Sequence, residues 1–154
     1  MDVKKIKLVL AIRSLNVGGA ERQFIELVKN IDKNKFEVYV CTMYGGEQES
    51  IVKAIENIKY YNLEKKGRYD IFKFYDNYKK LLKTINPDII YSFMGEMNMF
   101  SYLNKPKKTK IIWGFRTSDK DMSQYGKVSQ FLFWIQKKFS SKVDMIISNS
   151  NASI

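Results

Sequence analysis

The chain alternates short apolar segments with amphipathic ones, and this alternation restricts the folds open to it more than any other feature. Six segments rich in Val, Ile and Tyr are predicted to be strands: residues 6–12, 36–43, 59–63, 88–93, 110–115 and 144–149. They are apolar at almost every position, as expected for strands of a parallel sheet that is buried on both faces. Strands that alternate with helices form such a sheet between two helical layers. We therefore predict a three-layer α/β fold with a parallel sheet and helices on both faces.

Helical periodicity fills the segments between these strands. Apolar residues recur at positions i, i+3, i+4 and i+7 in residues 20–31 and 50–58, which predicts two amphipathic helices. The apolar face of the second helix is expected to consist of Ile51, Ala54, Ile55 and Ile58. A longer helix over residues 70–85 should end before Pro87, because proline disfavours the helical conformation at the preceding residue. No repeat or linker interrupts the pattern, so residues 1–154 are predicted to form a single domain.

Composition excludes several classes of protein. The chain has 154 residues, 45% of them hydrophobic, which is typical of a globular domain. It contains no histidine, which excludes a histidine general base and a Ser–His pair. Cys41 is the only cysteine, so no internal disulfide can form, and this indicates the cytoplasm. The apolar run at residues 8–12 is shorter than the roughly 7–15 residues of a signal-peptide core.

The chain is strongly basic, since 27 lysines and arginines against 16 acidic residues give a net charge of +11. Either this charge belongs to a solvated, lysine-rich surface, or it attracts nucleic acid, a membrane face or a phosphorylated substrate. The basic runs are short and lack the interleaved aromatic residues that stack on bases. We therefore expect no nucleic-acid partner.

The loop after the first strand contains a candidate phosphate site. Ligands of open α/β sheets bind beyond the carboxyl ends of the strands, and here Arg13 is followed by Gly18 and Gly19 at the start of a predicted helix. The free N–H groups of a helix N-terminus suit phosphate, and glycine lets a ligand approach the backbone. A plain tight turn would need the same glycines. Neither G-x-G-x-x-G nor G-x-x-x-x-G-K-[ST] occurs, which disfavours a dinucleotide or P-loop nucleotide enzyme.

Polar residues also follow the later strands. Glu96 and Asn98 lie where a helix begins after the fourth strand, and Glu96 either complements the helix dipole or serves the site. Arg116, after the fifth strand, is either a surface residue or a fork-shaped donor for phosphate or carboxylate. The remaining polar residues at these strand ends are Ser118, Asp119, Asn149 and Ser150, of which the last two suit a helix cap equally well.

Four segments, in this order and at this spacing, resemble the amino-terminal half of family 4 glycosyltransferases of the GT-B fold: VGGAER, PDIIYSFMGEMN, IIWGFRTSDKDM and VDMIISNSNAS. The resemblance spans nearly the whole chain. It implies a Rossmann-like domain that holds the acceptor in a two-domain enzyme. Such an enzyme transfers a hexosyl group from a nucleoside diphosphate sugar to a glycan or lipid-linked acceptor with retention of anomeric configuration. The carboxyl-terminal, nucleotide-binding domain with its Glu-x7-Glu pair is absent, so we expect a truncated chain that is inactive alone.

The resemblance also implies roles for individual residues. Gly18 and Gly19 match the glycine loop whose N–H groups neutralise the donor diphosphate, and we expect Arg13, nearby in the sequence, to contribute to the same donor site. Arg116 is the first candidate for a catalytic residue and Glu96 the weaker one, because the histidine that some members carry in this half is missing. The acceptor is expected to contact Asn98, Ser118, Asp119, Asn149 and Ser150. No metal and no cofactor apart from the nucleotide-sugar substrate are expected.

One predicted helix suggests contact with a membrane. In residues 129–141, Phe133 and Trp134 point away from the apolar face and lie near Lys137. The apolar face itself comprises Val128, Leu132, Ile135 and Phe139. Since many acceptors of the family are lipid-linked diphosphates, we expect an enzyme of polysaccharide biosynthesis, cytoplasmic and peripheral at the inner membrane face. Contact of these rings with the missing domain or a partner is the alternative.

A non-catalytic protein remains a second hypothesis for the whole chain. A flavodoxin-like or Rossmann-like module that binds an anionic partner would show the same strand–helix alternation and the same charge. A response regulator is excluded, because the first strand ends in AIRSLN rather than in an acidic cluster.

Overall fold

The computed structural model describes residues 3–67, 69–115 and 126–148, and this part of the chain forms a parallel sheet of six strands. The strands are β1 Ile6–Ile12, β2 Phe36–Thr42, β3 Ile58–Asn62, β4 Ile89–Phe93, β5 Lys110–Phe115 and β6 Met145–Ser148. The helices are α1 Gly19–Asn30, α2 Glu49–Lys53, α3 Ile71–Ile85, α4 Gly95–Asn104 and α5 Lys127–Phe139, which continues into a 3-10 turn, Ser140–Lys142. The predicted parallel α/β fold is confirmed.

The strand order β3-β2-β1-β4-β5-β6 places β1 in the interior of the sheet, paired in parallel with β2 and β4. Leu10 of β1, for example, lies between Val40 and Tyr91. The chain builds outward from β1 in one direction through β3 and then in the other direction from β4. The reversal creates a switch point between β1 and β4, where the loops after the two strands diverge to opposite faces and leave a crevice.

Helices cover both faces of the sheet, as the alternation of side chains along β1 requires. Leu8, Leu10 and Ile12 face a core with α1 and α2, where Phe24 meets Phe93 edge to face at 5.1 Å between ring centroids. Val9 and Ala11 face the opposite core, which is filled from α3, α4 and β5. The largest fully buried side chain of this second core is Trp113.

The helix α3 ends where the sequence predicts, whereas α2 ends earlier than predicted. Asn86 adopts a left-handed conformation with φ 48°, and its N–H donates to Leu82 O at 2.8 Å, so α3 ends directly before Pro87. The helix predicted over residues 50–58 is α2, which ends at Lys53. Ile58 instead begins β3, where it pairs with Val38.

The predicted apolar face of α2 was wrong for the same reason. Val52 is the buried residue of this helix, whereas Ile51 is 43% exposed. Ile58 was counted into a helical repeat although it belongs to a strand, because both interpretations place an apolar residue at that position. The chain leaves the helix through Asn57, whose φ of 60° is left-handed.

Candidate functional site

Two predicted site residues from different loops meet at the switch point. Arg13 directly follows β1 and Glu96 lies in the first turn of α4, and their side chains form an ion pair with 3.3 Å between Nε and Oε2. The two side chains are 52% and 41% exposed. A pair this exposed contributes only about 0–1 kcal/mol to stability. Both groups therefore remain accessible to a ligand in the crevice.

The backbone before Glu96 is strained. Met94 caps the N-terminus of α4 with φ 71° and ψ 145°, a region that is strongly disfavoured for a residue with a side chain. A conformation of this kind costs about 1–3 kcal/mol and is found preferentially at functional sites. Gly95, next in the chain, lies close to α5, since a Cβ there would force the side-chain amide of Gln136 to move. The sharp turn at Met94 thus directs α4, and Glu96 with it, toward Arg13.

Gly18 and Gly19 differ in the space that surrounds them. Gly18 caps α1 in an extended conformation, and a Cβ on it would overlap the Glu21 carboxylate, which folds back over the first turn and is only 8% exposed. A Cβ on Gly19 would have no atom within 4 Å among the neighbours in the described part of the chain. Gly18 therefore has a close side-chain neighbour in the fold, whereas Gly19 leaves open space at a helix N-terminus, where partial positive charge favours an anion.

Hydrogen bonds between loops hold Arg13 in place. The Tyr44 N–H donates to Arg13 O at 2.9 Å, and the Gln48 N–H donates to Leu15 O at 2.9 Å. A Cβ on Gly46 would overlap the backbone of Leu15, so the loops after β1 and β2 lie in direct contact. Such a backbone fixes the start of the Arg13 side chain before any ligand arrives.

Two further polar residues, Tyr44 and Lys65, lie beside Arg13 and Glu96 at the carboxyl ends of the strands. The Arg13 guanidinium lies 5.8 Å from the centroid of the Tyr44 ring. The Lys65 ammonium lies 5.3 Å from the same centroid and donates to Tyr44 Oη at 3.0 Å. Lys65, Tyr44, Arg13 and Glu96 thus follow the ends of β3, β2, β1 and β4, which are neighbours in the sheet. Sequence analysis missed Tyr44 and Lys65, although each stands within three residues of the end of a predicted strand.

Asn98, which is predicted to contact the acceptor, points into the interior of the domain. Its side chain is fully buried, and Oδ1 accepts a hydrogen bond from Ser92 Oγ at 2.8 Å. Its Nδ2 is buried without a hydrogen-bond partner among the described residues. The helical turn that exposes Glu96 directs Asn98 inward, onto β4, and its role in acceptor binding stays a prediction.

The remaining predicted site residues lie outside the described residues: Arg116, Ser118, Asp119, Asn149 and Ser150. The strands that lead to them end at Phe115 and Ser148, and both run parallel to β1. Their roles stay predictions.

Other chemistries find little support in the part of the chain that the structure describes. These residues contain no group of three or more Asp, Glu, Cys or His side chains that could hold a metal ion. Burial raises the pKa of Cys41 to about 12, so its thiol is not a nucleophile at neutral pH. Across residues 3–67, 69–115 and 126–148, no helix is both long and apolar enough to cross a membrane.

The fold is shared with several proteins of known structure. The structure superposes on MurG from Acinetobacter baumannii with a TM-score of 0.63 and 12% identity, over 96% of this chain and 42% of MurG. It matches HepE from Anabaena, solved with UDP and glucose, with a TM-score of 0.67 and 15% identity, over 96% of this chain and 39% of HepE. A Listeria monocytogenes protein described as a UDP-N-acetylglucosamine 2-epimerase superposes with a TM-score of 0.56 and 15% identity, over 97% of this chain and 40% of that protein. The chain thus spans about two fifths of these proteins.

Sequence comparison names the family. No curated protein matches the chain by direct sequence search. The family model of Glycosyltransferase Family 4 matches residues 17–153, which include the Gly18–Gly19 turn and every strand from β2 to β6. Because this match covers most of the chain, the chain belongs to Glycosyltransferase Family 4.

Proposed function

We propose that this chain is the acceptor-side domain of a retaining hexosyltransferase, which transfers a sugar from a nucleoside diphosphate sugar to a glycan or lipid-linked acceptor in cell-surface polysaccharide synthesis. The observation that carries the proposal is the accessible Arg13–Glu96 pair at the switch point, in the same loop system as the open Gly19 turn. A cation, a carboxylate and a helix N-terminus at one crevice suit a reaction in which a diphosphate leaves and a hydroxyl attacks.

Each group has a defined task in this reaction. As the bond between sugar and diphosphate breaks, negative charge grows on the diphosphate, and the N–H groups at Gly18 and Gly19 stabilise it together with Arg13. A leaving phosphate oxygen takes the proton of the attacking hydroxyl, so no histidine is needed. Glu96 orients the acceptor by accepting a hydrogen bond from one of its hydroxyls. Arg116 contributes a further cation from the end of β5.

The nucleoside itself is bound elsewhere in this proposal. HepE, solved with UDP and glucose, has more than twice the length that this chain covers. We assign the nucleoside to a second Rossmann-like domain and only the diphosphate and the acceptor to this one. The chain alone is then expected to transfer no sugar, and the transfer is expected to need no metal ion.

Calorimetric titration tests this division of labour. The chain is titrated at low ionic strength with inorganic pyrophosphate and with UDP. Because only the diphosphate contacts this domain, we expect the two dissociation constants to agree within about threefold, a difference below about 0.7 kcal/mol. If UDP binds more than tenfold more tightly than pyrophosphate, this chain recognises the nucleoside and the acceptor-side assignment is wrong. If neither ligand binds, the site itself is wrong.

An exposed face of α5 supports the further proposal that the enzyme docks on an anionic membrane. Phe131, Phe133 and Trp134 are 58%, 46% and 57% exposed, and the rings of Phe131 and Trp134 stack at 6.2 Å. Lys138 lies 5.4 Å from the centroid of the Trp134 ring, and Lys137 is exposed beside it. Aromatic rings with lysines on one outward face suit the interface of an anionic bilayer.

Liposome flotation with and without phosphatidylglycerol tests the docking face. Phe133→Ser combined with Trp134→Ser should abolish flotation with anionic vesicles. The control is Phe72→Ser, which removes an 85% exposed ring from α3 and should leave flotation unchanged. Equal flotation of the double variant and the wild type would show that α5 does not bind the membrane.

A further inference from the structure

A hydrogen-bonded pair of side chains stands beside the proposed reaction centre without an assigned role. Lys65 Nζ donates to Tyr44 Oη at 3.0 Å, at the ends of β3 and β2. The lysine donates a second hydrogen bond to Gly67 O. Since the tyrosine oxygen accepts from the ammonium, its own O–H is left to donate, and no acceptor for it is found among the residues that the structure describes.

The two donors are therefore available to the same ligand atom or group. An ammonium has three N–H donors, so Lys65 keeps one after its contacts with Tyr44 and Gly67. No acidic side chain of the described residues forms an ion pair with Lys65. Both Lys65 and Tyr44 are only partly exposed, so a ligand there is partly shielded from water. A charged donor and a neutral one, about a hydrogen-bond length apart, match two oxygens of one carboxylate or phosphate.

The backbone holds this pair in position. The Lys65 N–H donates to Met43 O at 3.0 Å, which extends the contact between β2 and β3 beyond the strands. Glu64, the residue before, is left-handed with φ 47°, and its N–H donates to Asn62 Oδ1 at 2.9 Å. A left-handed residue that carries a side chain is strained, and here the strain fixes the direction in which the chain presents Lys65.

The geometry points to a binding subsite for an oxyanion substituent of the acceptor, formed by Lys65 and Tyr44 and bordered by Arg13. The inference rests on the proposed function, because Arg13 joins the subsite to the proposed reaction centre through its contacts with the Tyr44 ring and with Glu96. The acceptor would then be an anionic sugar, with a carboxylate or a phosphate directed toward β3 while the attacking hydroxyl faces Glu96. The net charge of the row of Lys65, Arg13 and Glu96 is one positive charge, which one anionic substituent balances.

Three sugars of the same ring test the subsite: glucose, glucuronate and glucose 6-phosphate, each titrated into the chain at low ionic strength and followed by NMR shifts. At least one of the two anionic sugars should bind about tenfold more tightly than glucose, or more tightly still. Lys65→Met should remove that preference, and Tyr44→Phe should reduce it while the ring stays in place. Lys108→Met is the matched control, because this exposed lysine precedes β5 and so lies at the amino ends of the strands, whereas Lys65 and Tyr44 lie at the carboxyl ends. Tighter binding of glucuronate would identify the preferred substituent as a carboxylate, and tighter binding of glucose 6-phosphate would identify it as a phosphate.

Two results would overturn the subsite: glucose binding as tightly as both anionic sugars, or a preference that survives Lys65→Met. Pyrophosphate binding, measured on the same variants, separates this failure from failure of the proposed function. Lys65→Met should change pyrophosphate affinity by less than about threefold, since the diphosphate binds at the Gly19 turn. Loss of the sugar preference with pyrophosphate binding retained is the expected result. Pyrophosphate binding that is absent in the wild type counts against the proposed function.

Discussion

Replacing Gly19 by alanine separates the two explanations of the glycine turn. In the structure Gly19 is exposed, occupies the first position of α1, and offers open space where a Cβ would stand. If the turn alone required glycine, alanine should destabilise the domain. If a ligand requires the space, alanine should be tolerated by the fold and rejected by the ligand.

The expected magnitudes follow from this geometry. Alanine at a compatible position restricts the unfolded chain and stabilises the fold by about 0.4–1 kcal/mol. For a domain of this size that raises the melting temperature by about 1–4 °C. A methyl group at the ligand's position costs a charge-assisted hydrogen bond of about 1.5–3 kcal/mol. That loss weakens pyrophosphate binding by roughly 10- to 150-fold.

Thermal unfolding and calorimetric titration of the same preparations measure both quantities. Gly18→Ala is the comparison variant, because its methyl group would force the Glu21 carboxylate to move, whereas the methyl group of Gly19→Ala would meet no atom of the described residues. The reasoning is refuted if Gly19→Ala binds pyrophosphate as the wild type does while its melting temperature is unchanged or raised. A lowered melting temperature of Gly19→Ala would show instead that the turn itself needs this glycine.

Further predictions concern the body of the domain. Tyr78→Phe and Ser101→Ala each break the buried hydrogen bond of 2.8 Å between the two hydroxyls and should each cost about 1–2 kcal/mol in urea unfolding, whereas the double variant should cost less than the sum; additive costs would show that the bond is not made. Cys41, fully buried with a pKa raised to about 12, should resist iodoacetamide in the native protein and react after unfolding, so rapid native alkylation would contradict its burial. The Ile111 N–H donates to Asp144 and holds the pKa of this carboxyl below its usual range, so Asp144→Ala should lose about 1 kcal/mol at neutral pH. Because the lowered pKa stabilises the fold above the unfolded-state value, this difference should vanish as pH falls below 3.8 through the folded-state pKa, and a difference independent of pH would contradict it.

The sheet could be predicted from the sequence because its strands are buried on both faces. Residues 111–115, for example, form an apolar run that is too short for a typical helix and is rich in β-branched and aromatic residues, as expected for a buried strand. Residues 50–58 were ambiguous, since a short helix and the start of a strand together imitate one longer helical repeat. Only the pairing of Ile58 with Val38 distinguishes the two interpretations.

The candidate site was predictable for residues that closely follow recognisable strands, but not for contacts that depend on the strand order and on the backbone of the loops. Arg13 and Glu96 follow strands that the sequence makes recognisable, so their position at one edge could be expected. The contact of Lys65 with Tyr44 depends on the neighbour relation of β2 and β3 and on the backbone turn at Glu64, which no local pattern encodes. The inward direction of Asn98 could not be predicted, because it depends on where α4 begins, a boundary that follows the strained turn at Met94.

The central claim is that the crevice between the ends of β1 and β4 binds a diphosphate. Amide shifts of the 15N-labelled chain, followed during titration with inorganic pyrophosphate at low ionic strength, test it most directly. We predict the largest saturable shifts at Gly18, Gly19 and Glu96. Shifts should be small at Lys35 and Lys108, which lie at the amino ends of the strands. Shifts spread evenly over exposed lysines at both edges, or largest at the amino ends of the strands, would contradict it.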